Sequence, residues 1–143
     1  MNGRPVLISA CLLGIPCRFD GKSKAHAKAL SLAEKGDCRL IPFCPECYGG
    51  LPIPRPPSEQ RGGRVFSAAG ADVTAQYERG AKSALRLCRL FGCETAVLKA
   101  RSPSCGSGRI YDGTFTKTLI PGDGVTARLL KENGVRVLTE DDL

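Results

Sequence analysis

Residues 5–10 read Pro5-Val6-Leu7-Ile8-Ser9-Ala10, a run that is nearly all apolar and contains β-branched side chains. A short run of this kind, without polar alternation, is typical of a parallel strand that is covered on both faces. Cys11 follows the run directly. The stretch therefore predicts a buried strand that carries a cysteine at its carboxyl end.

Beyond this strand, helical and strand patterns alternate along the chain. Helices are predicted at residues 25–35, 76–90 and 125–132, strands at 38–43, 95–100 and 135–138, and a turn or hairpin at 107–116. Such alternation indicates parallel strands joined by helices that cover both faces of the sheet. We expect a Rossmann-like three-layer α/β sandwich with a mainly parallel sheet of about four strands, formed by residues 1–143 as a single domain.

The region 48–70 interrupts this alternation. It contains repeated glycines and four prolines, Pro52, Pro54, Pro56 and Pro57. Proline lacks the backbone donor that a helix interior or a central strand needs. Long irregular segments inside compact domains are often lids or binding loops. We therefore predict a long loop that covers a site.

The composition limits the class of protein. The chain has 143 residues, eight cysteines and a formal net charge of +7. The apolar stretch from Val6 to Leu13 is far shorter than the ~20 residues of a membrane span, and no secretory signal is recognisable. We expect a soluble, cytoplasmic protein without a membrane partner, whose cysteines serve as metal or catalytic thiols. The basic residues are scattered, which favours ordinary solvation over dedicated nucleic-acid binding.

Three cysteines follow three predicted strands. Cys11 comes after the first strand, Cys44 after the second, and Cys105 lies in the loop after the third. In open parallel sheets, ligands bind outside the carboxyl ends of the strands. These three thiols are therefore expected at one edge of the sheet.

The other five cysteines divide into two groups. Cys88 and Cys93 belong to a helix and its exit turn, where cysteine packs as a small apolar residue, and Cys38 starts a strand at the opposite end. Cys17 and Cys47 lie in loops on the correct side, and their participation in metal binding stays open.

Spacing alone allows other metal and redox sites. A structural zinc ion would fit a closed set of four ligands from Cys11, Cys44, Cys47 and Cys105. A thioredoxin-like pair is disfavoured, because Cys44-Pro45-Glu46-Cys47 stands before a Gly/Pro loop and not at a helix start. The lone His26 is expected to be a solvated surface residue.

Further polar residues are expected at the same edge. The loop Ser102-Pro103-Ser104-Cys105-Gly106-Ser107-Gly108 combines hydroxyls with glycines, so its backbone could approach an anion or a cluster closely. Glu46, two residues after Cys44, could accept or relay a proton beside a metal centre. Asp20 and Arg55 are lesser candidates for substrate contacts and are equally compatible with turn chemistry.

These residues recur in a series of motifs, by which the chain resembles the 2-thiouracil desulfurase family over nearly its whole length. The motifs are Ser9-Ala10-Cys11-Leu12-Leu13-Gly14, Arg18-Phe19-Asp20-Gly21, Cys44-Pro45-Glu46, Gly49-Gly50-Leu51-Pro52, Pro54-Arg55, Arg101-Ser102-Pro103-Ser104-Cys105-Gly106, Ile110-Tyr111-Asp112-Gly113 and Gly122-Asp123-Gly124-Val125-Thr126-Ala127. So many motifs in order are far more specific than one C-x-x-C pair.

The resemblance implies a cofactor and a reaction. It implies a 4Fe-4S cluster held by Cys11, Cys44 and Cys105, with one iron left without a protein ligand. It also implies that Glu46 and Ser102 are the acidic and hydroxyl catalytic residues. The expected activity is non-redox, hydrolytic removal of sulfur from a thiolated pyrimidine such as 2-thiouracil, which gives uracil and hydrosulfide.

Two alternatives accompany this expectation. One is a zinc-stabilised module without enzymatic activity that binds RNA or a protein through its basic surface. The other keeps the cluster but acts on thiouridine within tRNA. We place a free thiopyrimidine or thionucleoside ahead of tRNA, because no added RNA-binding domain is recognisable in the sequence.

Overall fold

The structure, a computed structural model, describes residues 3–143; the first two residues of the predicted domain, Met1 and Asn2, lie outside the described residues. The strands are β1 (Arg4–Ser9), β2 (Cys38–Phe43), β3 (Ser58–Arg61), β4 (Arg64–Ser67), β5 (Thr95–Leu98), β6 (Arg109–Tyr111), β7 (Leu119–Pro121) and β8 (Arg136–Thr139). The helices are α1 (Ala27–Lys35), α2 (Pro45–Tyr48), α3 (Thr74–Phe91) and α4 (Val125–Glu132).

Four of the strands form the central sheet in the order β2-β1-β5-β8. All neighbours in this sheet run parallel. The expected α/β fold with a parallel sheet of about four strands is therefore confirmed. β1 is a central strand, and its last residue, Ser9, lies beside Phe43 at the end of β2.

Each face of the sheet is covered by helices, and β1 shows why. Leu7 belongs to a buried cluster shared with α3 and α4, whereas Ile8 belongs to a second cluster shared with α1. Successive side chains of a strand point to opposite faces, so an all-apolar strand needs a layer on each side. The amphipathic helix α3 supplies Ala84 and Leu85 to the first cluster, as its sequence pattern predicts.

The region 48–70 differs from the prediction of a loop without regular structure. Residues 58–67 form an antiparallel hairpin of β3 and β4, separate from the central sheet. Its strands are largely polar, with Glu59 and Val65 among the few buried side chains, so apolar alternation does not reveal them. The hairpin is not a central strand, in agreement with the proline content of this region.

The turn after β2 also differs from the prediction. Cys44 is the N-cap of the one-turn helix α2, so the cysteine pair does stand at a helix start. Pro45 occupies the first helical position, where its missing N–H group removes no hydrogen bond. The prediction that Cys44 and Cys47 do not stand at a helix start is therefore wrong.

Helix α2 lies against α3 at an unusually close approach. A Cβ atom on Gly80 would come within 1.9 Å of the Pro45 carbonyl oxygen. Only glycine allows two backbones to approach to this degree. The long helix α3 thereby fixes the short helix that carries Cys44 and Glu46.

The remaining boundaries deviate little from the expected ones, except that the hairpin of β6 and β7 extends to residue 121. Among the helices formed by residues 3–143, none has the length and apolar character that a membrane crossing requires.

Candidate metal centre and active site

A cavity of about 630 Å³ opens where β1, β2 and β5 end. Four thiols line it, those of Cys11, Cys17, Cys44 and Cys105. Cys11, Cys44 and Cys105, the three cysteines expected at the strand ends, therefore do line one cavity. Cys17 lines it as well. The hairpin β3–β4 and the loop after β6 contribute other walls, so the region 48–70 does border the site.

Local structure positions the first thiol. Cys11 lies in a turn of 3-10 helix, Ala10–Leu13, that begins where β1 ends and stops at Gly14. Gly14 has a φ of +93°, a conformation that glycine adopts without strain. The buried strand β1 thus leads directly into the segment that holds Cys11.

Ser9, the last residue of β1, connects this strand with the segment that follows β5. Its hydroxyl donates to the Cys105 sulfur at 3.6 Å and accepts a hydrogen bond from the Lys99 backbone N–H at 3.0 Å. A hydrogen bond to sulfur stabilises negative charge there. Sequence reasoning missed Ser9, although its position at a strand end could have indicated it.

The loop of Cys105 is ordered by the hydroxyl of Ser102. The Ser102 oxygen accepts hydrogen bonds from the backbone N–H groups of Ser104 and Cys105, both at 3.1 Å. Gly124 permits this loop to lie close to the start of α4, since a Cβ there would come within 2.3 Å of the Ser104 carbonyl. The fully buried Ser104 hydroxyl bonds that of Thr126 at 2.8 Å.

Cys17 and Cys47 occupy different positions. The thiols of Cys44 and Cys47 both donate to the Cys17 carbonyl oxygen, at 3.7 and 3.9 Å. The Cys17 side chain itself is buried and lines the cavity, whereas Cys47 is not among the lining residues. Of the two cysteines left open by the sequence, Cys17 lines the cavity with the expected ligands and Cys47 does not.

Mutual contact and burial hold these thiols in the protonated form. The pKa of Cys17 is raised to about 11, first by its hydrogen bond with Cys11. Burial raises the pKa of Cys105 to about 12, although the hydrogen bond from Ser9 acts in the opposite direction. The pKa of Cys44 is also raised, mainly by its hydrogen bond with Cys17 and to a smaller extent by burial. Since metals bind thiolates, loading this site must release protons.

The donor set fits an iron–sulfur cluster. Cysteine thiolates are the usual ligands of such clusters, and the cavity is lined by several thiols and has room for a group larger than one ion. In the part of the chain that the structure describes, residues 3–143, no three His, Cys, Asp or Glu side chains are arranged to hold a single metal ion. The four cysteines of the zinc alternative also do not share the cavity, because Cys47 is not among the lining residues.

A buried ion pair stands beside the thiols. The Nε and Nη2 atoms of Arg55 both bind the Oε2 oxygen of Glu46, the former at 3.0 Å. The same guanidinium donates to the carbonyls of Pro52 and Cys17, each at 3.1 Å. Burial alone lowers the pKa of Arg55, but the Glu46 carboxylate outweighs it and the net change is upward. The structure therefore pairs Arg55 with Glu46, and because Arg55 also lines the cavity, its contact with substrate stays a prediction.

The Tyr77 hydroxyl completes this group. It lies against Glu46 and Ser58, and burial raises the pKa of Tyr77. Sequence reasoning missed it because a tyrosine on the apolar side of α3 is usually a core residue. Glu46, in the helix that follows Cys44, thus contacts one cation, Arg55, and one neutral hydroxyl, that of Tyr77.

The remaining candidates lie outside the site. Asp20 accepts a bond from the Lys22 backbone at 3.0 Å and pairs with Arg18, as expected of turn chemistry. His26 caps α1 and is half-buried, with an Nδ1 atom that has no partner within residues 3–143, so it is less exposed than expected. Cys38 begins β2, and Cys88 and Cys93 pack in the core.

Comparisons with known proteins identify the family of this chain. The family model described as 2-thiouracil desulfurase matches residues 6–142. The uncharacterized protein YbbK of Bacillus subtilis (strain 168) is 40% identical over 148 residues, which cover 96% of this chain and 97% of YbbK. The solved structure of the 4Fe-4S-dependent thiouracil desulfidase TudS is 48% identical and superimposes with a TM-score of 0.91, over 98% of this chain and 93% of that one. This chain therefore belongs to the 2-thiouracil desulfurase family.

Proposed function

We propose that this protein is a 4Fe-4S-dependent desulfurase that hydrolyses thiolated pyrimidines such as 2-thiouracil to uracil and hydrosulfide. The observation that carries the proposal is the gathering of cysteine thiols and a buried carboxylate around one cavity at the carboxyl ends of parallel strands. Family membership and the likeness to TudS support the same activity. Eight free cysteines suit a reducing compartment, so we place the enzyme in the cytoplasm.

Three residues would hold the cluster: Cys11, Cys44 and Cys105. Each follows a different strand of the central sheet, so the sheet sets the spacing of the ligands. When bound, the cluster supplies an iron that acts as a Lewis acid toward the thiocarbonyl sulfur. The hydrogen bond from Ser9 to the Cys105 sulfur favours the thiolate that this role needs.

Glu46 is the proposed general base. The two hydrogen bonds that Arg55 donates to Glu46 both go to Oε2, so the other carboxylate oxygen, Oε1, accepts none from the guanidinium. Oε1 can therefore take a proton from the water that attacks the thiocarbonyl carbon. Arg55 keeps the carboxylate in one orientation, which reduces the motion needed before proton transfer.

Ser102 is proposed to donate a hydrogen bond to the reacting groups. A hydroxyl has one donor and two acceptor sites, and both acceptor sites of Ser102 are used by backbone N–H groups. Its proton is therefore left for a group inside the cavity. This arrangement suits orientation of the water or of the substrate.

The test is turnover under anaerobic conditions with 2-thiouracil, 4-thiouracil and a thiolated tRNA as separate substrates. We expect equal amounts of hydrosulfide and desulfurated base from at least one free thiopyrimidine, and none after the iron has been removed by a chelator. Turnover of tRNA alone would favour the tRNA enzyme. No hydrosulfide from any substrate by an iron-loaded protein would contradict the proposal.

A further inference from the structure

The loop that joins β6 to β7 borders the same cavity as the thiols. Tyr111, Phe115 and Lys117, at the end of β6 and in residues 112–118, are among the lining side chains. Phe115 is 38% exposed, so it is not packed in the core. An aromatic ring that lines a cavity and is partly exposed is available to a ligand.

The backbone of this loop is strained at two of these positions. Phe115 has a φ of +59° and Lys117 a φ of +60°. Side chains other than glycine rarely adopt this left-handed region, because the Cβ atom crowds the backbone. Glycine would be more stable at either position. Both positions nonetheless carry large side chains that face the cavity, which indicates a role for the side chains.

A buried carboxylate fixes the strained segment. The Oε1 oxygen of Glu59 in β3 accepts hydrogen bonds from the backbone N–H groups of Gly113 at 3.0 Å and Phe115 at 3.1 Å. Glu59 is only 8% exposed. Gly113 brings the loop close to β3, since a Cβ there would lie 2.7 Å from the Gln60 carbonyl oxygen. The orientation of Phe115 therefore depends on a charged group in the neighbouring hairpin.

We infer that Phe115 is the surface on which the pyrimidine ring of the substrate stacks, with Tyr111 beside it, and that Glu59 is the positioning residue of this subsite. The inference rests on the proposed desulfurase function and adds to it the residues that recognise the ring. A planar heteroaromatic ring gains affinity by stacking on an aromatic side chain, whichever thiopyrimidine it is. The cluster held by the cavity thiols would bind the sulfur, and Phe115 binds the part of the substrate that does not react.

The first experiment compares steady-state kinetics of the cluster-loaded protein with 2-thiouracil. Phe115→Ala is expected to raise KM by about tenfold or more, the effect of losing one stacked base, with kcat unchanged. Phe115→Tyr should keep the KM of the wild type. Phe115→Leu retains apolar volume without an aromatic face and should raise KM as well, which keeps the test valid if the alanine variant does not fold. Phe91→Ala is the control, because Phe91 is an exposed phenylalanine at the end of α3, outside the cavity.

The second experiment tests Glu59. Glu59→Ala should raise KM, and Glu59→Gln should restore much of the loss because its amide oxygen can still accept the two N–H bonds. Combined with Phe115→Ala, Glu59→Ala should add no further increase, since both act through one ring. Cluster absorbance should be equal in all variants.

The outcomes separate the inference from the proposed function. An active wild type whose KM is unchanged by Phe115→Ala and Phe115→Leu overturns the stacking role, and fully additive effects in the double variant overturn the role of Glu59. A cluster-loaded wild type that releases no hydrosulfide from any thiopyrimidine overturns the proposed function and this inference together.

Discussion

The cavity thiols, Cys11, Cys17, Cys44 and Cys105, contrast with the core thiols, Cys88 and Cys93. Cys105 and Cys88 belong to one apolar cluster and are 4% and 3% exposed. Burial does not separate the two groups. What separates them is position: Cys11, Cys44 and Cys105 follow parallel strands and open, with Cys17, on a common space. Cys88 lies in the last turns of α3 and Cys93 just after that helix, and both pack among apolar side chains.

This contrast explains why the same residue type serves two purposes in one chain. Thiols of both groups have raised pKa values, by burial in Cys88 and by contact with Cys17 in Cys44. The Cys17 thiol contacts those of Cys11 and Cys44, and the Ser9 hydroxyl donates to the Cys105 sulfur, whereas Cys88 contacts a single sulfur, that of Cys93. Metal binding requires such convergence, and simple packing does not.

The largest effect expected is loss of the cluster. Cys11→Ala, Cys44→Ala or Cys105→Ala should each abolish the brown absorbance and hydrosulfide release, because a proposed ligand is removed. Cys88→Ala should retain both and lower the free energy of unfolding by about 1 kcal/mol. Visible absorption and chemical denaturation measure the two effects. Full activity in any of the three cavity variants would contradict the assignment of that cysteine as a cluster ligand.

The next effect concerns the two carboxylates of Glu46 and Asp20, one at the cavity and one in a surface turn. Glu46→Gln should lower kcat roughly 100-fold, the usual contribution of a general base, with the iron content unchanged. Asp20→Asn should leave kcat near the wild-type value, because the amide can still accept the Lys22 N–H bond. Steady-state kinetics with 2-thiouracil check both. Equal losses in the two variants would contradict the assigned role of Glu46.

A third comparison sets the buried ion pair against a surface pair. Arg55→Ala leaves Glu46 without its cation in a site where the Arg55 side chain is 4% exposed, so we expect about 3 kcal/mol of destabilisation. Arg64→Ala breaks a pair with Asp72 whose side chains are 59% and 37% exposed, and it should have an effect below about 1 kcal/mol. Thermal or chemical unfolding measures both. Similar decreases in the free energy of unfolding for the two variants would show that the buried pair contributes no more to stability than the surface pair.

The smallest effects expected are those of the two unassigned cysteines. Cys47→Ser should leave iron content and absorbance unchanged, because Cys47 does not line the cavity. Cys17→Ser should keep the iron but alter the absorption spectrum, since the Cys17 thiol touches those of Cys11 and Cys44. Iron analysis and spectroscopy decide. Loss of iron in Cys47→Ser would make it a ligand.

Much of this arrangement could be predicted because it is local in the sequence. The apolar pattern of β1 and the amphipathic pattern of α3 specify parallel strands and covering helices, and the strand-end rule then selects Cys11, Cys44 and Cys105. The hairpin β3–β4 escaped prediction because its polar strands face the cavity and solvent and lack apolar alternation. Its turn residues, Gly62 and Gly63, were the available signal.

The contacts that complete the site could not be predicted, for a different reason. Glu46 and Arg55 are only nine residues apart, but their pairing depends on the path of a proline-rich loop. Glu59 and Phe115 are 56 residues apart and meet because two hairpins pack together. Ser9 was closer to recognition, since it ends a strand beside a predicted ligand. Side-chain contacts across loops need the tertiary structure.

The most direct test of the cluster assignment is metal and sulfide analysis of the wild-type protein after anaerobic purification. We expect about four irons and about four acid-labile sulfides per chain, without stoichiometric zinc. One zinc per chain, with neither iron nor labile sulfide, would contradict it and favour the zinc-stabilised module.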